Sequence, residues 1–248
     1  MKRLSYILIV FLCAACDSEN ANDCFQTSGA LIQQEISVAS FDKILVHRDV
    51  ELIIKEAPLQ KVVIETGKNL LNEVRVSVEN GKLVLRDDNT CNFVRDYSAT
   101  KIYVSAPNIT EIRSSTQYDI SSDGVLTYPS LSILSENFNV PDTFNIGNFN
   151  LNIDNNVFKV VFNGISNCFI SGKTNTLNVL FAAGASRFEG RDLVAQNVGV
   201  SSRSSNDIIV NPQQQITGKI MSTGNVILVN TPPIIDVEEV YKGRLIFE

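Results

Sequence analysis

Between Ser166 and Val229 one short pattern returns at a nearly constant interval, and this limits the fold more than any other feature. Ser166-Asn-Cys-Phe-Ile-Ser171 aligns with Ala185-Ser-Arg-Phe-Glu-Gly190, Ser205-Asn-Asp-Ile-Ile-Val210 and Gly224-Asn-Val-Ile-Leu-Val229. In this alignment Phe169, Phe188, Ile208 and Ile227 stand 19, 20 and 19 residues apart. Ile120 and Phe144 extend the apolar column upstream at spacings of 24 and 25. Each unit also carries an earlier strand-like run: Val160-Val-Phe162, Val179-Leu-Phe181, Val198-Gly-Val200 and Gly218-Lys-Ile220. A period near 20 with two short strands per unit predicts a β-solenoid, in which a single unit cannot bury its apolar face and stacking must do so. Phe144, Phe169, Phe188, Ile208 and Ile227 are expected to form one inward column. Asn167, Asn206 and Asn225, with Ser186 in the remaining place, are expected to form a hydrogen-bonded ladder along the stack.

The first half reads as strand too. Ile44-Leu-Val46, Val50–Ile54 and Lys61–Ile64 are β-branched runs separated by polar or turn-prone residues. Val74–Val78 and Leu83–Leu85 alternate cleanly, and Asn80-Gly81 between them is the strongest short hairpin signal. Helical periodicity is absent apart from one possible turn at Leu70-Leu71. Thr231-Pro-Pro233 is expected to stop the repeat, because proline cannot donate to a ladder. The following tail would then cap the last rung.

The start of the chain carries a different message. Lys2 and Arg3 precede Tyr6–Leu12, an apolar run too short to cross a bilayer, and Cys13-Ala-Ala-Cys16 follows. This resembles a bacterial lipobox with Cys16 as the lipidated mature N-terminus, although Cys13 replaces the usual Leu. An ordinary cut nearby, with Cys16 merely a thiol, is the alternative. Losing Lys2 and Arg3 leaves 19 bases against 27 acids, a net charge of −8. The polar stretch after Cys16 reads as a tether. Asp17 and Glu19 resemble surface-export signals of some Gram-negative lipoproteins, whereas enterobacterial sorting reads Asp at that place as retention. Localisation is therefore expected to be the outer membrane, facing either the periplasm or the surface. Export implies an oxidising compartment. Of the three remaining cysteines, Cys24 and Cys91 lie in polar loop contexts and are paired here. Cys168 lies in an apolar run as a buried free thiol.

Composition removes several functions. With 27 acids against 21 bases and a pI near 4.9, a nucleic-acid partner is excluded. One His and five Cys give no metal motif, and nothing implies a cofactor. Three further groups of residues have a functional reading beside a structural one. Arg95-Asp96-Tyr97 could bind a ligand but more simply buttresses a loop. Asp87-Asp88 could hold calcium but reads as a solvated turn. His47 could be a general base but has no partner. A polysaccharide lyase or hydrolase on the same architecture would need carboxylates or a basic residue clustered in a groove. Few acids fall in the repeat's register.

Phe41-Asp-Lys-Ile44, Asp49–Ile53, Leu70–Val74, Asn80–Leu83 and Pro107–Ile112, with the lipobox start, resemble the head GIN domain family of auto-transporter adhesins, common among Bacteroidetes lipoproteins. The likeness spans roughly residues 40–230. It implies a right-handed parallel β-helix and an adhesin-like, non-catalytic role, and it carries over no catalytic residue. A literal Gly-Ile-Asn is absent; Asn163–Ser166 and Asn145–Asn148 come nearest. The expected organisation is a signal peptide (1–15), a lipid-anchored tether (16–35), the β-solenoid domain (36–230) and a C-terminal cap (231–248). The expected partners are the membrane, through Cys16, and an extended glycan or protein ligand. A purely structural envelope module remains a further alternative.

Overall fold

The computed structural model describes residues 23–89, 91–93, 100–138 and 143–248. Within them the fold is all β, with only single 3-10 turns at Asp23–Phe25 and Leu71–Glu73. The strands are β1 (Leu31–Ile36), β2 (Lys43–His47), β3 (Val50–Glu56), β4 (Lys61–Gly67), β5 (Val74–Glu79), β6 (Lys82–Asp87), β7 (Thr100–Ala106), β8 (Glu111–Ser115), β9 (Ile120–Leu126) and β10 (Ser130–Ser135). Then come the long strands β11 (Phe149–Phe162), β12 (Asn167–Phe181), β13 (Arg187–Ser202) and β14 (Ile208–Ile220). The chain closes with β15 (Val226–Leu228), β16 (Ile234–Glu239) and β17 (Leu245–Phe247).

The long strands cannot be straight. Phe149 pairs in parallel with Cys168, 19 positions on, and Phe162 pairs with Phe181 at the same offset. An extended 14-residue strand would run about 46 Å, and four connecting residues could not bring it back beside its own start. Each long strand therefore bends around the core and makes a coil with its turn. Bulges mark the bends: pairing shifts between Phe169 and Gly172 and between Glu189 and Val194. Gly172 has φ +105°, and a Cβ there would lie 2.0 Å from the Ile153 carbonyl oxygen, so only glycine fits this corner.

Two ladders result. One runs β6–β2–β8–β10, through the second halves of β11 to β14, to β16. The other runs β7–β3–β9, through the first halves of β11 to β14, to β15 and β17. These pairings are parallel. The sheet as a whole is mixed, because β1–β4, β4–β7 and β5–β6 are antiparallel. Connection length explains the difference. Residues 57–60 are too few for a crossover and simply reverse the chain after β3, and β5 and β6 join through Asn80-Gly81 alone. Both turn residues have positive φ, 52° and 74°, as the primed two-residue hairpin requires.

The core lies between the ladders. One inward column runs Leu52, Ile120, Phe149, Cys168, Phe188, Ile208 and Val226, all fully buried. Ile44, Ile112, Ile133 and Val160 start the facing column. Rings of Phe149, Phe162 and Phe181 stack at 5.4 and 5.7 Å.

Register corrects part of the sequence reading. Phe188 and Ile208 are inward, but Phe169 and Ile227 stand one residue past Cys168 and Val226 and point outward. A slip of one residue exchanges the faces of a strand. Phe144 precedes β11 altogether, 38% exposed beside the Arg48 guanidinium, and Phe149 takes its place. The polar ladder shifts likewise. Asn206 lies outside it and binds the Ala185 carbonyl. The ladder residues precede the inward ones: Asn167 Nδ2 donates to Asn148 Oδ1 at 3.1 Å, and Asn225 Nδ2 donates to Asp207 Oδ1 at 3.1 Å. The ends differ too. Leu31–Glu35, the end of the expected tether, is part of strand β1 on β4. The tail after Pro233 continues the stack in parallel, since β16 pairs with β14 and β17 with β15. The prolines fall in the preceding turn, where no ladder bond is needed.

The register makes a sharp contrast testable. Phe188→Ala should cost about 3–5 kcal/mol in urea unfolding, whereas Phe169→Ala should cost less than about 1 kcal/mol. Equal losses would contradict the assigned faces.

Candidate functional site

The residues singled out from the sequence do not converge. Cys16 and the Arg95-Asp96-Tyr97 group lie outside the described residues. Cys24 and Cys91 are bonded, with Cα atoms 4.4 Å apart, and fasten the segment before β1 to the loop after β6. Phe93 N donates to the Cys24 carbonyl at 2.9 Å beside the Phe25–Phe93 ring contact. Cys168 is fully buried in the core column, and burial pushes its thiol well above the ordinary value. A thiol held protonated in apolar packing is no nucleophile. His47 is half-buried at the end of β2; burial first, then the Arg86 charge, lowers its pKa against the pull of Asp88 and Glu79.

Asp87 and Asp88 diverge instead of forming a cation site. Asp88 faces outward between Arg75 and Arg86, at 2.7 and 2.6 Å. Burial pulls its pKa upward, but hydrogen bonds from these two arginines hold it below the ordinary carboxylate value. Asp87 turns inward, 5% exposed, accepting from Asn89 N at 2.8 Å, from Asn89 Nδ2 at 2.6 Å and from the Thr100 hydroxyl. Burial raises its pKa despite these bonds. No group of three or more potential metal ligands converges among the described residues.

A concave feature lies elsewhere, on the outer wall where β11, β12 and β13 turn their corner. A groove of about 640 Å³ is lined there by Val125, Asn152, Asp154, Lys173, Val194 and Gln196, among others. Its cause is the bulged corner: Gly172 turns the chain sharply and leaves a recess between rungs. Val125 and Val194 give it apolar, exposed walls. Asp154 and Lys173 pair across adjacent rungs at 3.1 Å, so the groove carries both charges and little net field. At its edge Asn175 Nδ2 donates to Asn156 Oδ1 at 2.7 Å, and Asn197 Nδ2 to the Asn175 carbonyl at 3.3 Å.

The two misplaced apolar residues belong to this same outer wall. Asn150, Phe169, Glu189, Ile209, Ile227 and Ile246 pair in succession up the stack. Phe169 is 44% exposed and Ile246 40%. Arg187 binds Glu189 at 2.7 Å, and Arg191 binds Glu248 at 3.1 Å, flanking the strip with ion pairs. Strip and groove are continuous along β12, through Phe169, Ser171, Lys173 and Asn175. Sequence reasoning missed the groove because its residues are ordinary singly; only the bulged register brings them together.

A mixed, nearly closed sheet wrapped around a buried apolar core, with the recess on its outer wall, defines an all-β protein among the described residues. The chain belongs to the family described as "Putative auto-transporter adhesin, head GIN domain", whose profile matches residues 40–232. A Bacteroides fragilis protein described as a putative adhesin shares the fold at a TM-score of 0.77 and 19% identity, over 90% of this chain and 99% of that one. A putative adhesin of Parabacteroides merdae aligns at 0.63 and 12% identity, over 89% and 97%. A putative lipid binding protein of Parabacteroides distasonis aligns at 0.58 and 14%, over 88% and 97%. No curated protein matches.

Asp87 offers a pH test. Its raised pKa means that the folded chain keeps this proton to higher pH than the unfolded chain. Its contribution is therefore largest below the unfolded carboxylate value of about 3.9 and is lost as pH rises through the folded value. Asp87→Asn should remove that loss. Urea midpoints of the variant should gain on wild type between pH 4 and 7, and a constant offset would contradict the assignment.

Proposed function

We propose that this chain is an exported cell-envelope lipoprotein, anchored through Cys16, whose domain is a non-catalytic, adhesin-like binding module on a right-handed parallel β-helix. Parallel connections of this kind are right-handed in nearly all cases, which supports the hand. The outer groove with its neighbouring strip carries the functional reading. The groove joins apolar patches, amides and one ion pair, and Asp154 is the single carboxylate among its lining residues, whereas glycoside hydrolysis uses two. A neutral or weakly charged extended glycan or protein suits that chemistry. Aliphatic side chains cover its apolar faces, while Asn152, Asp154, Lys173 and Gln196 offer donors and acceptors. The net charge of the processed chain, 19 bases against 27 acids or −8, disfavours a strongly anionic partner.

Two measurements test this. Labelling with a fatty-acid analogue should mark the wild-type chain and leave Cys16→Ser unmarked; equal labelling would remove the anchor. The purified chain should be retained on one or more immobilised polysaccharides or envelope proteins. Val194→Asp combined with Lys173→Ala should weaken that retention at least tenfold, with no new reducing ends or unsaturated products. Product release abolished by one carboxylate or lysine substitution would make the chain an enzyme.

A further inference from the structure

We infer that two copies of this chain associate tail to tail, by antiparallel pairing of β17 with β17 of a second copy. The two ends of the stack are built differently. At one end, β5 turns Arg75, Ser77 and Glu79 to solvent, and β1 carries Gln33, Gln34 and Glu35. Charged and amide side chains on short antiparallel strands are the usual means of blunting an edge. At the other end, β16 pairs only with β14 and β17 only with β15 among the described residues, so each leaves one edge open. That end gathers Ile234, Ile235, Val240, Tyr241, Ile246 and Phe247, each between 40% and 57% exposed. No lysine or proline interrupts β17.

The sequence of β17 fits a copy of itself. In an antiparallel pair centred on Ile246, Ile246 faces Ile246, Leu245 faces Phe247, and Arg244 faces Glu248 at both ends. A shift of the centre by half a residue either way sets a charged residue against an apolar one. Arg244 has Glu239 at 3.6 Å within its own chain, and Glu248 has Arg191, so a second copy would extend existing ion pairs into a network. β17 lies one coil beyond β15, whereas β16 shares the coil of β15. The same two-fold would therefore leave a gap of about two strand spacings between β16 and its mate, with the side chains of both bordering the gap. Of the carboxylates there, Glu238 is neutralised by Lys219 at 2.6 Å and Glu239 by Arg244, which leaves Asp236 to be tolerated. The contact is isologous and closes on itself, because the blunted opposite end gives no continuation into a filament. The outer strip ends at Ile246, so in a dimer it would run through the contact into the second copy.

Cysteine crosslinking on the full chain in detergent-solubilised cell envelopes, where both anchors are free to reorient, tests this, since Cys24 and Cys91 are bonded to each other and Cys168 is buried. Under mild oxidation, Ile246→Cys should give mostly disulfide dimer on non-reducing gels, and Ser77→Cys, at the other end, should stay monomeric. Adding Arg244→Glu should cut the Ile246→Cys dimer at least threefold, and adding Glu248→Arg as well should restore it. Protection of Cys168 from maleimide reports that each variant is folded. Three outcomes would overturn the inference: a monomeric Ile246→Cys whose new thiol reacts with maleimide, dimers formed equally at Ser77→Cys, or a crosslink to a protein of different mass.

Discussion

Parallel register is the constraint on which everything else in this molecule depends. Once Phe149 lies beside Cys168, every residue along the coil is committed to core or solvent, because side chains alternate with period two. A single bulge re-aims the remainder of a rung. The chain therefore needs two kinds of device: apolar columns that hold neighbouring rungs together, and hydrogen bonds at the corners that stop a rung from sliding. Asn148–Asn167 and Asp207–Asn225 supply the second, each spanning one step of the stack just ahead of the inward column. Asn145, Asn163 and Asn137 form another such chain of amides at 3.0 and 2.8 Å. These bonds matter for uniqueness more than for net stability, since each amide exchanges water for protein at about 1 kcal/mol.

The period was legible in the sequence; its phase was not. Phe188 and Ile208 declared themselves, since aromatic or β-branched residues recur there with polar neighbours. At Cys168-Phe169 and Val226-Ile227 two apolar residues are adjacent, so composition favours the larger one while register selects the smaller. Phe149 was hidden because the units before it are longer than those that follow. Asn206 and Asp207 are a similar pair, with either side chain chemically able to join the ladder. The hairpin at Asn80-Gly81 was readable because its turn geometry is local. Strand β1 and the antiparallel pairing of β4 with β1 and β7 were not, because those partners lie far along the chain.

The errors of phase turn out to be informative about the surface. Phe169 and Ile227 are large apolar side chains on the solvent face of strands that had no packing reason to carry them. Phe169 and Ile246 are the exposed apolar members of the outer strip, with Glu189, buried Ile209 and half-buried Ile227 between them. Exposed apolar residues gathered on one face mark an interaction surface more often than scattered ones do. The groove adjoining them arises from the same bulges that move the register. Corner geometry and recognition surface thus share one cause.

Order along the stack also sets where that surface would stand in an envelope. β1 lies at one end, β17 at the other, with ten ladder steps between them along one side of the sheet. At about 4.8 Å per step the domain would be roughly 48 Å long. Cys24, tied to Cys91, belongs to the β1 end, so a lipid on Cys16 would be attached there. Seven residues, 17–23, separate it from the disulfide and span at most about 25 Å. The groove on β11 to β13 would stand about halfway along the stack, clear of the lipid headgroups, and the open edge of β17 would point away from the membrane. An anchored chain meets others of its kind within a plane or across a gap between surfaces. The pole carrying β17 is the one able to reach across such a gap.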